Sequence, residues 1–245
     1  MAGGPAPLPA IPYPSWLGMG AAVHKVPSPS GGPTMPGAPA APGPGSTAGL
    51  GDKVTLPAEL KAGLDGAWAD SFPSGKAQEQ AGVLVRKADG SVEWRRVVDG
   101  VSGNLTGGTA SFDYGKLVGA GETLLAAAHT HPYDASEGGH TNVSFSGADL
   151  SRMAISTVPE TQHYMRSGDG VFMIAETPDF QKLVTITGEA KLQGEMNKTW
   201  NDTFAGATGT IQERSDAATK AVAHQYHLDY YKGTGDTLTK VDTAK

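Results

Sequence analysis

Thr123-Leu124-Leu125-Ala126-Ala127-Ala128-His129-Thr130-His131-Pro132 is the stretch on which the reading of this chain turns. Its first part, Thr123–His129, is compact and apolar enough for a buried β-strand. Residues i and i+2 of a strand project from one face, so its end can present the imidazoles of His129 and His131 to one point. The next informative stretch is Phe145-Ser146-Gly147-Ala148-Asp149-Leu150. Ser146–Ser156 reads as the opening of a helix, with Asp149 in its first turn, where the helix dipole favours a carboxylate. Ser146-x-x-Asp149 is equally a capping-box-like start, with Asp in the place of Glu or Gln.

Working outward, Gly82–Arg86 and Ser91–Val98 read as two strands joined by Ala88-Asp89-Gly90, which carries the Asp-Gly sign of a hairpin. Ahead of them Pro57 fits the first turn of a helix whose apolar stripe is Leu60, Leu64, Ala67 and Trp68, although Gly63 and Gly66 weaken it. Thr109–Tyr114 reads as a short strand. Gln162–Arg166 and Val171–Thr177 flank a second hairpin turn at 167–170, and Lys182–Thr187 reads as one more strand. Leu192, Met196, Trp200 and Phe204 recur every four residues and predict an amphipathic helix over 189–205. Ile211, Ala218, Val222, Tyr226 and Tyr230 predict a second helix, ended by Gly233. The expected fold class is α+β, a mixed β-sheet flanked by an N-terminal helix and two C-terminal helices.

The chain has two compositional parts. Residues 1–50 hold 12 of the 17 prolines and a single charged side chain, Lys25. Such a segment favours extended polyproline-like backbone and reads as a linker, or as a docking or export segment anchored by Trp16 and Leu17. Residues 51–245 are the expected domain. The net charge of −6 argues against a general nucleic-acid binder. No stretch approaches the length of an apolar membrane span, and no basic region followed by an apolar run marks a secretory signal.

The chain has no cysteine, so any zinc site must be built from histidine and carboxylate. Two histidines and one carboxylate, here His129, His131 and Asp149, leave a fourth coordination position for water, the pattern of a catalytic site. A base is still needed. Glu79 is the first candidate, since Glu79-Gln80-Ala81-Gly82-Val83-Leu84 leads into a strand able to lie beside the histidine strand, where Gly82 would allow close backbone approach. Glu122, Asp134 and Glu137 compete for that role. His224 and His227, three apart on a predicted helix, lack a supporting carboxylate and read as surface residues. His163 has no evident partner.

His-x-His-Pro, then Ser-x-x-Asp, with an upstream Glu-x-x-Gly-Val-Leu, resembles the JAB/MPN/JAMM zinc metallopeptidases over about residues 75–175. The resemblance implies His129, His131 and Asp149 as Zn2+ ligands, Glu79 as general base, Ser146 as oxyanion stabiliser, and a protein or peptide substrate, peptidoglycan peptides included. One departure is the fourteen residues between His131 and Ser146, longer than the family's usual spacing. Asp134, Ser136, Glu137, Gly138, Gly139 and His140 would loop out beside the site, gating it or lending His140 as a ligand. The combination with Asp89-Gly90-Ser91 and Phe-Ser-x-x-Asp-Leu is similar to JAMM-like domains of bacterial toxins and secreted effectors. It implies delivery without a signal peptide, by machinery such as type VI secretion, and a cognate immunity protein as partner. A cytoplasmic location, a non-catalytic JAMM-like binding module and a secretion adaptor are the rival expectations.

Overall fold

The structure is a computed structural model that describes residues 50–73, 77–105, 111–132, 144–154, 162–168 and 170–244. The expectations for the Pro-rich segment with Trp16 and Leu17, and for Asp134, Ser136, Glu137, Gly138, Gly139 and His140, lie outside the described residues.

Among those residues the chain runs β1 (Lys53–Thr55), α1 (Ala58–Ala69), β2 (Ala81–Arg86), β3 (Val92–Arg96), β4 (Gly103–Asn104), β5 (Ser111–Phe112), α2 (Tyr114–Leu117), β6 (Thr123–His131) and α3 (Gly147–Met153). It continues through β7 (Gln162–Ser167), β8 (Gly170–Ala175), α4 (Pro178–Thr187), α5 (Glu189–Gly206), α6 (Ile211–Gln225), β9 (Asp229–Gly233) and β10 (Thr237–Lys240). Eight strands form one mixed sheet in the order β1-β10-β9-β8-β7-β6-β2-β3, in which only the β6–β7 pairing is parallel. This is the α+β class expected from the alternation of strand and helix patterns.

The two faces of the sheet are covered differently, and β6 shows why. Ala126 and Ala128 face Leu60 and Leu64 of α1, together with Tyr164, Met173 and Tyr231 from neighbouring strands. The opposite face meets α3, α4, α5 and α6 through Met165, Phe172, Ile174 and Tyr230. Alternation along a strand therefore sends the alanines into one core and leaves His129 and His131 for the other side. Near its start β6 carries a bulge: Leu84 pairs with Ala126 and Val85 with Leu124, so Leu125 is surplus to the ladder. Leu124 and Ala127 accordingly share a third apolar cluster with Val83, Val85 and Val97.

The first hairpin forms as the sequence predicts. Gly90 takes a φ of +86°, and the Asp89 Oδ1 accepts hydrogen bonds from the backbone and hydroxyl of Ser91 at 2.9 and 2.6 Å. Gly82 allows the close backbone approach expected of it, since a Cβ would stand 2.6 Å from the Arg95 carbonyl oxygen, and it serves a second purpose. A Cβ there would stand 2.3 Å from the Trp94 indole, and so would one on Gly63. Both glycines make room for Trp94 between α1 and the sheet, which is also why α1 tolerates a glycine in its middle.

Three expectations are corrected. Lys182–Thr187 is not a strand but the second half of α4. Its β-branched run is overruled by a strong start, in which Thr177 accepts from the Phe180 amide and Pro178 opens the helix. The second C-terminal helix stops at Gln225 rather than reaching Gly233, because His227 takes a φ of +57° and the chain turns into β9. Tyr230 and Tyr231 thus sit on a strand, one on each face of the sheet. Of the expected strand at 109–114, residues 109 and 110 lie outside the described residues; Ser111–Phe112 is a strand, and Tyr114 instead begins α2.

Candidate metal centre

His129 and His131 end β6 in a ladder fixed on both sides. Ala81 of β2 and Met165 of β7 stand beside His129, and Ser167 stands beside His131. The imidazole Nε2 atoms are 3.0 Å apart. The Nδ1 of His131 lies 3.1 Å from the carbonyl oxygen of Ser144. A carbonyl can only accept, so Nδ1 carries a proton and Nε2 is the nitrogen turned towards the cluster. That is the arrangement a metal ligand needs, held by the kind of backbone partner that fixes such ligands.

Asp149 closes the triangle from α3. Its Oδ1 is 3.5 Å from His129 Nε2 and its Oδ2 is 3.4 Å from His131 Nε2. The capping box read from the sequence is present. Ser146 Oγ accepts from the Asp149 amide at 3.1 Å, and Asp149 Oδ2 accepts from the Ser146 amide at 2.8 Å and its hydroxyl at 2.7 Å. The cap that starts the helix therefore also aims the carboxylate. Burial alone would push the Asp149 carboxyl up, but the His129 and His131 imidazoles hold it well below the usual range, so it is ionised. The single hydroxyl proton of Ser146 is directed at Asp149 in this arrangement.

His129, His131 and Asp149 together can hold a metal ion, each offering one ligand atom. Ligand atoms at about 2.0 Å from a tetrahedral ion stand about 3.3 Å apart; the two Nε2 atoms are 3.0 Å apart, and each has a different oxygen of Asp149 beside it, at 3.5 and 3.4 Å. The donor set, two imidazoles and one carboxylate, suits zinc among other divalent ions. The buried Phe145 ring forms an apolar wall 6.3 Å from that of His129. Only 5% of the His131 side chain is exposed, against 25% for Asp149 and 21% for Glu79, so the cluster opens on its carboxylate side.

Glu79 reaches this opening because the residues around it are tied down. Gln80 donates its amide to the Thr130 hydroxyl at 2.9 Å and accepts from the Thr130 amide at 2.9 Å, while Gln78 donates its amide to the Ser71 carbonyl at 2.8 Å. Thr130, between the two histidines and pointing to the other face, thereby fixes the segment that bears the base candidate. Glu79 Oε1 lies 3.6 Å from His131 Nε2. Glu122 is engaged elsewhere: the Arg95 guanidinium grips both of its oxygens at 2.5 and 2.7 Å and holds its carboxyl down to about 2. Asp134 and Glu137 lie outside the described residues. His224 and His227 are exposed, as expected of surface residues.

Two features of the surroundings were not foreseen. His163 of β7 pairs with Ala127 and shares the face of His129; its Nε2 is buried without a hydrogen-bond partner. Ser144, Ser215 and Thr219 are fully buried polar residues gathered around the backbone that leads from His131 to α3. Nothing periodic marks them in the sequence, and Tyr230, which joins them, sits in what reads as a helical stripe. Comparison with models of known families, with curated proteins and with solved structures finds no match to this chain.

Proposed function

We propose that this chain is a zinc-dependent hydrolase of amide or isopeptide bonds, of the JAMM type. The observation that carries the reading is the meeting of three ligand atoms with a fourth group of the right chemistry: the Glu79 carboxylate stands 3.6 Å from a ligand nitrogen, on the open side of the cluster. His129, His131 and Asp149 would hold the ion, whose Lewis acidity activates water and polarises the scissile carbonyl when it is bound. Glu79 takes the proton from the attacking water at Oε1 and delivers it to the leaving amine. Ser146 keeps Asp149 in place and, by rotating its hydroxyl, adds a hydrogen bond to the oxyanion. Phe145 gives the site a low-dielectric wall against which these charges act more strongly.

A scaffold with no turnover has no use for a carboxylate poised beside a ligand set with room for solvent, which favours the enzyme over the binding module. Residues 1–50 fit a docking or export segment, and a secreted bacterial toxin is the setting that composition suits. Metal content of the purified protein and growth on expression in the bacterial cytoplasm or periplasm test the proposal together. Wild type should hold about one zinc and arrest growth in one compartment. His129→Ala and Asp149→Ala should lose the metal. Glu79→Gln should keep it and lower activity by about 10²–10⁴-fold. Full metal in either ligand variant, or unchanged activity of Glu79→Gln, would defeat the assignment.

A further inference from the structure

Ser144 offers no ligand atom with its side chain, yet its carbonyl, amide and hydroxyl are all engaged. Its carbonyl accepts from His131 Nδ1 at 3.1 Å. Its amide donates to Ser215 Oγ at 3.3 Å, and its hydroxyl lies 3.1 Å from Thr219 Oγ1 and 2.9 Å from the Tyr230 oxygen. The next carbonyl, of Phe145, accepts from Trp200 Nε1 at 3.0 Å and Thr219 Oγ1 at 3.2 Å. The anchors come from α5, α6 and β9, the part of the chain that supplies no ligand. The residue after Phe145 is Ser146, whose cap aims Asp149.

We infer that Ser144 is a positioning residue for the metal centre: gripped by Thr219 and Tyr230, its carbonyl fixes His131 in the tautomer and direction that ligation requires. This rests on the metal-centre reading and adds a second layer to it. The direction of the chain of hydrogen bonds follows from its far end. Tyr230 donates its one proton to Asp216 Oδ1 at 2.9 Å, and Asp216 is paired with Lys220 and Lys232, each at 3.2 Å. The Thr219 hydroxyl spends its proton on the Phe145 carbonyl, so the one Ser144 hydroxyl proton serves the two acceptors left to it, Thr219 Oγ1 and the Tyr230 oxygen. Burial, reinforced by the Asp216 charge, pushes the Tyr230 phenol well above its ordinary value, so it stays a donor. A carbonyl in open loop would be satisfied by water in many directions. Here three buried hydroxyls and an indole leave it one.

The test uses the full chain as wild type, Ser144→Ala and Tyr230→Phe, with Tyr226→Phe as control. Tyr226 also offers its hydroxyl to a helix partner, Thr199 Oγ1 at 2.9 Å, but hydrogen-bonds to neither Ser144 nor Phe145. Zinc affinity by chelator competition should fall about 10–100-fold in Ser144→Ala and Tyr230→Phe, with an altered visible spectrum of the cobalt(II) forms, while Tyr226→Phe matches wild type. Long-range ¹H–¹⁵N spectra of metal-free protein give a second readout. The His131 ring should be the Nδ1–H tautomer in wild type and a mixture in Ser144→Ala. Wild-type affinity, cobalt spectrum and tautomer in both variants would overturn the inference, as would equal loss of affinity in Tyr226→Phe. Should wild type bind no metal, the hydrolase proposal falls, and the tautomer experiment alone decides whether Ser144 holds His131.

Discussion

His163 is where the folded protein should feel acid first. Burial, helped by the neighbouring His129 and opposed by Asp149, pushes its imidazole down from 6.5 to about 4. Below pH 6.5 the unfolded chain takes up a proton that the folded chain refuses. The stability that the neutral ring supports is therefore complete above 6.5 and drains away as the pH falls towards 4. Urea midpoints measured from pH 7.5 to 4 should drop more steeply for wild type than for His163→Gln, and parallel curves would refute the argument. At this scale the three residues that could hold a metal were legible, because a His-x-His at a strand end and a Ser-x-x-Asp at a helix start are local patterns whose geometry follows from period and cap. His163 and Ser144 were not legible. Their meaning comes from partners 34 and more than 70 positions away, His129 for the first and Ser215, Thr219 and Tyr230 for the second.

Among the elements, α3 is the one whose placement the site cannot do without. Gly147, its first residue, lies against α5: a Cβ there would stand 2.6 Å from Asn197 Oδ1 and 3.1 Å from Trp200 Cβ. Gly147→Ala should cost about 1–3 kcal/mol of stability through overpacking. It should also weaken zinc binding, since the helix start that moves carries Asp149 two residues on. Thermal unfolding and chelator competition on one sample check both; a variant that loses stability but binds zinc like wild type would separate α3 from the site. Helices with a clear apolar stripe and hairpins with a strong turn are readable, as α1, α5 and the β2–β3 hairpin show. In α4 two local signals conflict: the β-branched run Val184-Thr185-Ile186-Thr187 says strand while Thr177-Pro178 says helix, and the cap prevails. The Tyr226–Tyr230 spacing fitted a helix, but the turn at His227 redirected it into β9, where Tyr230 is fully buried.

Across the whole molecule, the centre ties together stretches of chain that the sequence keeps apart: Glu79, the end of β6, the start of α3, and the gripping residues from Trp200 to Tyr230. An ion bound there stabilises the folded chain alone. At a free zinc concentration about 1,000 times the Kd the gain is about 4 kcal/mol. Tm should rise on adding zinc and fall with a chelator, and His129→Ala should abolish the difference; an identical shift in that variant would place the ion elsewhere. The class of fold was legible at this level from its alternating strand and helix patterns. Its closure was not. β1 and β10 are short, polar and 182 residues apart at their closest register, Thr55 with Thr237, and only the rest of the sheet gives either a reason to be a strand.

The surplus Leu125 has a consequence for how the imidazoles withstand change. Two neighbouring residues of β6 oppose one step of β2 there, so the stretch before it and the stretch after it need not keep common time. Lengthening or shortening the chain ahead of that point alters the loop feeding the strand. It does not rotate the last two turns of the zigzag, where β7 and Gln80 already dictate which way His129 and His131 look. The strand thus has a slip joint upstream of its working end.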